Sequence, residues 1–265
     1  MASGVLKRRV RDGMRRLVEE FGCRLFKIAT EDEGLTHDDV RRRWETYGDV
    51  ILFEMKIGGP AARGDLRLCR ELGIRRVIAP MVESPYALRD YAAAAKEVFG
   101  TRIFRRFRLG TDKTFWRRTA WGLGINIETV TALRVLDRIL EEAQDRPVGQ
   151  VTVGRSDLAK SAGEPLEAEK VTRWTRRVIQ AARHRGYVTS VGGGITPGRV
   201  RGLVEQVGPS CVNTRNFAFE VARTGEQNLS NAVKAALEVE ILLCRVEGLP
   251  GAQERIRALR RRLGR

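Results

Sequence analysis

The chain has 265 residues, 42% of them hydrophobic and 31% charged, with a formal net charge of +16. That length supports one large α/β domain or two small ones with a sizeable core, and the composition is that of an ordinary soluble globular protein. No apolar run approaches the roughly 20 residues of a membrane span, and the N-terminal MASGVLKRRVRDGMRRL lacks a signal-peptide core, so a cytoplasmic protein with no membrane partner is expected.

Helical and strand-like patterns alternate along the chain. A basic amphipathic helix over about Leu6–Phe21 precedes a strand, Arg24–Thr30, that ends in TEDEG. THDDVRRRWETYG predicts a helix N-capped by Thr36, with acids in its first turn. The strand Val50–Ile57 ends in KIGGP, and Pro60 suits the first turn of the helix in AARGDLRLCRELG, which stops at Gly73. RRVIAPMVES is a third strand, followed by a helix from Pro85 to Phe99. In TRIFRRFRLGTDKTFWRRTAWG basic and aromatic residues alternate. This stretch reads as a weak strand near Thr101–Arg106 and then a loop or short helix, a substrate-facing lid or oligomer-facing insertion ahead of a stacking surface for bases. The order resumes with strand Leu123–Ile127, helix Val130–Ala143, strand VGQVTVGRSD, helix Leu166–Arg185, strand YVTSVGGG, helix Pro197–Val207 and strand SCVNTRN. Two helical segments, Asn228–Glu247 and Pro250–Leu263, close the chain.

Such alternation means a parallel sheet, open or closed. Polar residues gather at the C-terminal strand ends, which form one face only if the sheet closes, so a (β/α)8 TIM-type barrel is expected. It occupies residues 1–265 as one domain, with a basic N-terminal helix in 1–22 and a C-terminal helical extension in 228–265. The four scattered cysteines match neither metal spacing nor a disulfide framework and read as core residues. The Arg runs at both ends read as solvated helix faces, with a basic rim for a polyanion as the alternative.

Glu128 stands at the end of an apolar strand, and Asp157 follows the next one, a single βα unit later. Burying an unpaired carboxylate is costly, and two from adjacent strand ends suit a hard divalent cation whose shell is completed by water and substrate. The plainer alternative makes Glu128 a helix-start residue and Asp157 an Asx turn. SVGGGITPGR places Gly193 and Gly194 before a helix, where backbone N–H groups can hold an anion or the glycines can simply make a tight turn. Arg155 and Arg215, on flanking strand ends, are further candidates for binding an anionic substrate.

KIGGPAARGDLRLCRELGIRRVIAPMVESPYAL, INIETVTAL and GRSDLAKSAG together resemble the HpcH/HpaI aldolase and citrate lyase β-subunit family, of the pyruvate/phosphoenolpyruvate barrel superfamily. The likeness runs from about Phe26 to Phe219 and is nearest to a branch with an acidic first strand end and a KIGG second strand. It implies that Glu128 and Asp157 bind Mg²⁺ or Mn²⁺, which chelates a 2-oxo acid and stabilises its enolate during carbon–carbon cleavage or formation. Asn126, where relatives often carry Gln, would orient a water or a substrate oxygen. Lys56 stands where typical members have a carboxylate-gripping Arg, and it is a point charge rather than a bidentate fork. His37 and His184 do not match the family's general base, which leaves Glu31, Glu33 and Glu83 as candidates. The resemblance also implies a homo-oligomer, trimeric or hexameric, built through the C-terminal helices. The alternative is a divergent barrel acting as a scaffold for nucleic acid or another polyanion, with nucleic acid the less favoured partner.

Overall fold

A computed structural model of the chain describes residues 2–104 and 122–265. In chain order the elements are α1 (Ala2–Glu19), β1 (Cys23–Ala29), α2 (Thr30–Glu33), α3 (His37–Tyr47), β2 (Leu52–Lys56), α4 (Arg63–Leu72), β3 (Arg76–Ala79) and α5 (Pro85–Phe104). Then follow β4 (Gly122–Ile127), α6 (Val130–Arg134), α7 (Leu136–Gln144), β5 (Val148–Gly154), α8 (Arg155–Ala162), α9 (Glu169–His184) and β6 (Val188–Gly192). The remainder is α10 (Val200–Val207), β7 (Cys211–Asn213), β8 (Phe217–Glu220), α11 (Val221–Thr224), α12 (Leu229–Glu247) and α13 (Ala252–Arg262).

The strands close into a barrel in the order β1 to β8. Neighbours from β1 through β7 run parallel, whereas β8 is antiparallel to both β7 and β1. This corrects the sequence-based eighth strand. Residues 101–104 belong to α5, beyond a break at Gly100 (φ 76°), and 105–106 lie outside the described residues. The strand that closes the barrel is FAFE, reached by a turn far too short for a parallel crossover, which needs a dozen or more residues.

Side chains alternate across each strand. Phe26, Ile28, Phe53, Met55, Ile125, Ile127, Val151 and Val153 point outward into the apolar layer between sheet and helices. Phe26 stacks on Phe217 and meets Phe53 edge-on, with ring centroids 5.4 Å and 5.1 Å apart. The alternate positions face the lumen and are largely polar. Lys27, Glu54 and Arg76 stand in register on β1, β2 and β3, with Lys27 Nζ 2.8 Å from the Glu54 carboxylate. Burial pulls the Arg76 guanidinium down to about 10 against the opposing pull of Glu54.

The helices follow their local chemistry. Thr36 and Asp39 form the reciprocal capping box of α3, and Gly73 ends α4 in the left-handed region (φ 69°). Helix α4 starts at Arg63 rather than near Pro60, α9 at Glu169 rather than Leu166, and α10 at Val200 rather than Pro197. The stretch 130–143 is split at Val135 into α6 and α7. Helix α1 buries Val10, Met14 and Leu17 and packs closely on α12 at Gly13, where a Cβ would lie 2.7 Å from Val239. Helix α13 straps the C-terminal face: Arg255 donates to the Glu33 carbonyl at 3.0 Å and Arg262 to the Ile195 carbonyl at 2.6 Å. No helix among the described residues is long and apolar enough to cross a membrane.

Candidate active site

The C-terminal strand ends open onto a cavity of about 420 Å³ lined by residues from β1, β2, β4, β5, β6 and β7. Glu128 follows β4 directly and is 2% exposed. Its Oε1 accepts from the Met81 backbone N–H at 2.9 Å and its Oε2 from Asn126 Nδ2 at 3.1 Å. Met81 holds φ at 51°, a conformation a side chain normally avoids, and in it the N–H is aimed at the carboxylate. Space for that carboxylate depends on Gly154 at the end of β5, where a Cβ would sit 2.4 Å from Oε2. Burial raises the pKa of Glu128 and Asp157 adds to the rise, while the Met81 N–H and Lys56 oppose it.

Asp157 reaches the same cavity by a different route. It lies in the first turn of α8, three residues past β5, with Oδ1 3.4 Å from Lys160 Nζ. The matched strand-end placement read from the sequence is therefore replaced by one strand end and one helix start. Lys56 ends β2 at the cavity wall; burial lowers its pKa, and the nearby Glu128 and Asp157 pull it back up. Asn126 lines the wall, and its buried Oδ1 has no hydrogen-bond partner among the described residues. Gly193 and Gly194 also line it, at φ 89° and 66°; a Cβ on Gly193 would lie 2.5 Å from the Ser156 amide. Arg215 stands on the β7–β8 turn at the cavity's edge.

The remaining sequence candidates are placed differently. Glu33 touches the cavity, but its Oε2 is 2.5 Å from Arg43 Nη1 and its Oε1 accepts from Asn216 Nδ2 at 2.6 Å. Glu31 is exposed beside Gly58, and Glu83 accepts from Thr129 Oγ1 at 2.6 Å; neither lines the cavity. Arg155 is buried behind the glycine loop, donating to the Gly193 and Leu166 carbonyls, and lines a separate cleft. His37 is outside the cavity too, its Nε2 2.8 Å from Asp65 Oδ1. The proposed lid falls mostly in 105–121, outside the described residues.

Sequence reasoning missed Lys27, Thr152, Ser156, Lys160, Asn213 and Arg262, all of which line the cavity. Strand parity gave a signal for Lys27 and Thr152, which share a face with Ala29 and Gly154. Arg262 had none, because its helix comes to the site only through tertiary packing. Glu240, a buried carboxylate on α12, was also missed. It accepts from Thr214 Oγ1 at 2.6 Å and the Asn216 amide at 2.8 Å, and so braces the turn that carries Arg215. Burial raises its pKa.

The donor set fits a hard divalent cation. Glu128 and Asp157 face one cavity and repel each other, and the orphaned Asn126 oxygen lies beside Glu128. Among the described residues no group of three or more His, Cys, Asp or Glu side chains converges. That rules out a closed zinc-type shell from these residues but suits Mg²⁺ or Mn²⁺, which take one or two carboxylates and keep water or substrate oxygens. Lys27, Lys56, Lys160, Arg215 and Arg262 outnumber Glu33, Glu128 and Asp157 around the cavity, so it attracts anions.

Among solved structures the chain is similar to an HpcH/HpaI aldolase from Desulfitobacterium hafniense DCB-2, at a TM-score of 0.60 and 20% identity over 86% of this chain and 89% of that one. This is the HpcH/HpaI aldolase fold. An HpcH/HpaI aldolase/citrate lyase family protein from Burkholderia cenocepacia J2315 shares it at a TM-score of 0.57 and 17% identity, over 89% and 98% of the two chains. A variant of the citrate synthase SbnG does so at 0.53 and 13%, over 88% and 98%. No protein-family model matches the chain, and no curated protein does. Within the HpcH/HpaI aldolase fold, the cavity occupies the face where barrel enzymes carry out their chemistry.

Proposed function

We propose that the protein is a divergent member of the HpcH/HpaI aldolase and citrate lyase family, of a KIGG-containing branch. It would be a divalent-metal-dependent carbon–carbon lyase or synthase working through the enolate of a 2-oxo acid such as pyruvate or oxaloacetate. The observation that carries this reading is the meeting of Glu128 and Asp157 in one anion-attracting cavity. Those two residues would hold Mg²⁺ or Mn²⁺, which when bound supplies a Lewis acid for the developing enolate oxygen.

The chain's own residues supply the rest. Lys56 gives the substrate carboxylate a point charge, in place of the bidentate grip of an arginine, while Lys27 on the same wall is paired with Glu54. Asn126 commits its amide N–H to Glu128, so its Oδ1 is left to accept from a water or a substrate hydroxyl. Gly193 and Gly194 admit substrate close to the backbone, and Arg215 and Arg262 face its far end. The proposal includes a cytoplasmic homo-oligomer, a trimer or hexamer.

The test is exchange of the C3 protons of pyruvate or oxaloacetate with solvent deuterium, followed by NMR. Exchange should require Mg²⁺ or Mn²⁺ and vanish in Glu128→Ala and Asp157→Ala. Metal-independent exchange, or exchange that survives both substitutions, would overturn the proposal.

A further inference from the structure

A second cavity, of about 390 Å³, abuts the active one and shares Glu33, Arg215 and Arg262 with it. It is built largely by the hairpin of α12 and α13, whose Leu243, Cys244, Leu249, Pro250, Ala258 and Leu259 give it an apolar wall. Gly248 and Gly251, at φ 59° and 75°, let the chain turn from one helix into the other, and Leu249 and Pro250 lie between them. Cys244, Leu249, Pro250 and Ala258 all keep accessible surface, so this wall is open to a ligand.

The charged groups around it are engaged with one another or exposed. Arg43 holds Glu33 at 2.5 Å and Glu247 at 2.6 Å, Arg255 donates to the Glu33 carbonyl at 3.0 Å, and Glu254 is exposed. Arg262 donates to the Ile195 carbonyl through both Nε and Nη2, at 3.1 Å and 2.6 Å. Of the three residues on the boundary, Glu33 and Arg262 are therefore fixed, and Arg215 is exposed at the tip of its turn. Arginine stems offer methylene surface even where their heads are polar, so an apolar chain can pass between the cavities beside them. The active cavity, at about 420 Å³, is already of the size that takes a drug-sized ligand, more than a three-carbon 2-oxo acid fills.

We infer that the second cavity takes an alkyl group of the lyase's own substrate. The 2-oxo acid end lies against Glu128 and Asp157, and a hydrocarbon chain carried beyond the reacting carbons runs past Arg215 into the pocket beside α13. The substrate class is then a 2-oxo acid with an apolar tail, or the adduct from which such an acid is released. This deepens the lyase reading and rests on it. Each methylene that the apolar wall removes from water tightens binding by about fourfold.

The probes are oxamate and N-hexyl oxamate, which keep the two chelating oxygens of pyruvate and put an amide nitrogen in place of its methyl carbon. Each is titrated calorimetrically into the full chain with Mg²⁺ present. N-hexyl oxamate is expected to bind about tenfold tighter than oxamate or better. Ala258→Trp, which fills the second cavity and not the active one, should remove that gain and leave oxamate affinity unchanged. A second readout needs no variant. Cys23, Cys69 and Cys211 are buried and Cys244 is not, so labelling of Cys244 by N-ethylmaleimide, located by mass spectrometry, reports on the cavity. With Mg²⁺ present, N-hexyl oxamate should slow that labelling several-fold, and oxamate should not. Oxamate that fails to bind with Mg²⁺ sinks the lyase reading and this inference with it. Where oxamate binds, equal affinity for the two compounds, a gain that survives in Ala258→Trp, or labelling that the hexyl compound does not slow overturns the inference alone.

Discussion

Gly154→Ala isolates the geometry around Glu128. Gly154 has a negative φ (−86°, with ψ 85°), so alanine introduces no left-handed strain there. The whole effect is steric: the new Cβ would lie 2.4 Å from Glu128 Oε2 and 3.0 Å from its Cβ. The carboxylate can rotate away, but the Cβ is fixed to the backbone beside β4. Any rotation also breaks the 2.9 Å bond from Met81 and the 3.1 Å bond from Asn126. Overpacking of this kind costs about 1–3 kcal/mol. For a domain of this size each kcal/mol lowers Tm by about 2–4 °C, so a fall of about 2–12 °C is expected by circular dichroism. Mn²⁺ affinity, read by electron paramagnetic resonance, should drop at least tenfold, which is about 1.4 kcal/mol. Gly59→Ala, where a Cβ meets nothing within 4 Å, should change neither. A Gly154→Ala protein that melts and binds Mn²⁺ like the wild type would refute the placement of Glu128 against β5.

Two further substitutions follow from the same charges. Arg43 forks onto Glu247 at 2.6 Å and 2.7 Å, reaches Glu33 at 2.5 Å and lies 5.7 Å from the Phe26 ring centre. Arg43→Met leaves both carboxylates without their cation, at about 3–5 kcal/mol, so Tm should fall by about 6–20 °C; a fall under 2 °C would mean the pairs contribute little. Glu128 has a folded pKa raised above its ordinary value of 4.5, chiefly by burial. Between those two values the folded state binds more protons than the unfolded, so its stability declines as pH rises through that window. Glu128→Gln removes the decline, and the orphaned Asn126 oxygen can accept the new amide after a flip. Its Tm should match the wild type below pH 4.5 and exceed it at neutral pH; equal values at both pH ends would contradict the burial argument.

Much of the barrel was legible because its strands and helices carry different periods, and because turn residues separate them. The KIGG, PMVES and GRSD strand ends were found for that reason. Strand β8 was not, since FAFE is only four residues long and follows a tight turn, leaving too little pattern to separate from SCVNTRN. Glu128 stood out because it ends an apolar run, and Asp157 because it follows the next strand and its Gly-containing turn one βα unit later. The acids of TEDEG could not be ranked, because their fates are decided by distant partners: Glu33 is held by Arg43 and by Asn216, 183 residues away in sequence. Arg255 and Arg262 were hidden in an Arg-rich helix, and only packing shows that they bind the backbone carbonyls of Glu33 and Ile195.

The lumen explains how two acids and several cations coexist at one strand end. Barrels are usually filled by layers of branched apolar side chains. Here Lys27, which lines the cavity, stands in register with the buried Glu54 and Arg76 beneath it. Lys56, two residues beyond Glu54 on the same strand face, brings a further cation to the cavity wall. Lys56 lowers the energy of an ionised Glu128 against the burial that opposes it. It is itself drawn toward both Glu128 and Asp157 when no other cation is near them. A divalent ion taken up by those carboxylates would compete with Lys56 for the same charges and leave its ammonium to the substrate carboxylate. Metal uptake and anion binding would then reinforce each other, because each removes the repulsion that the other meets.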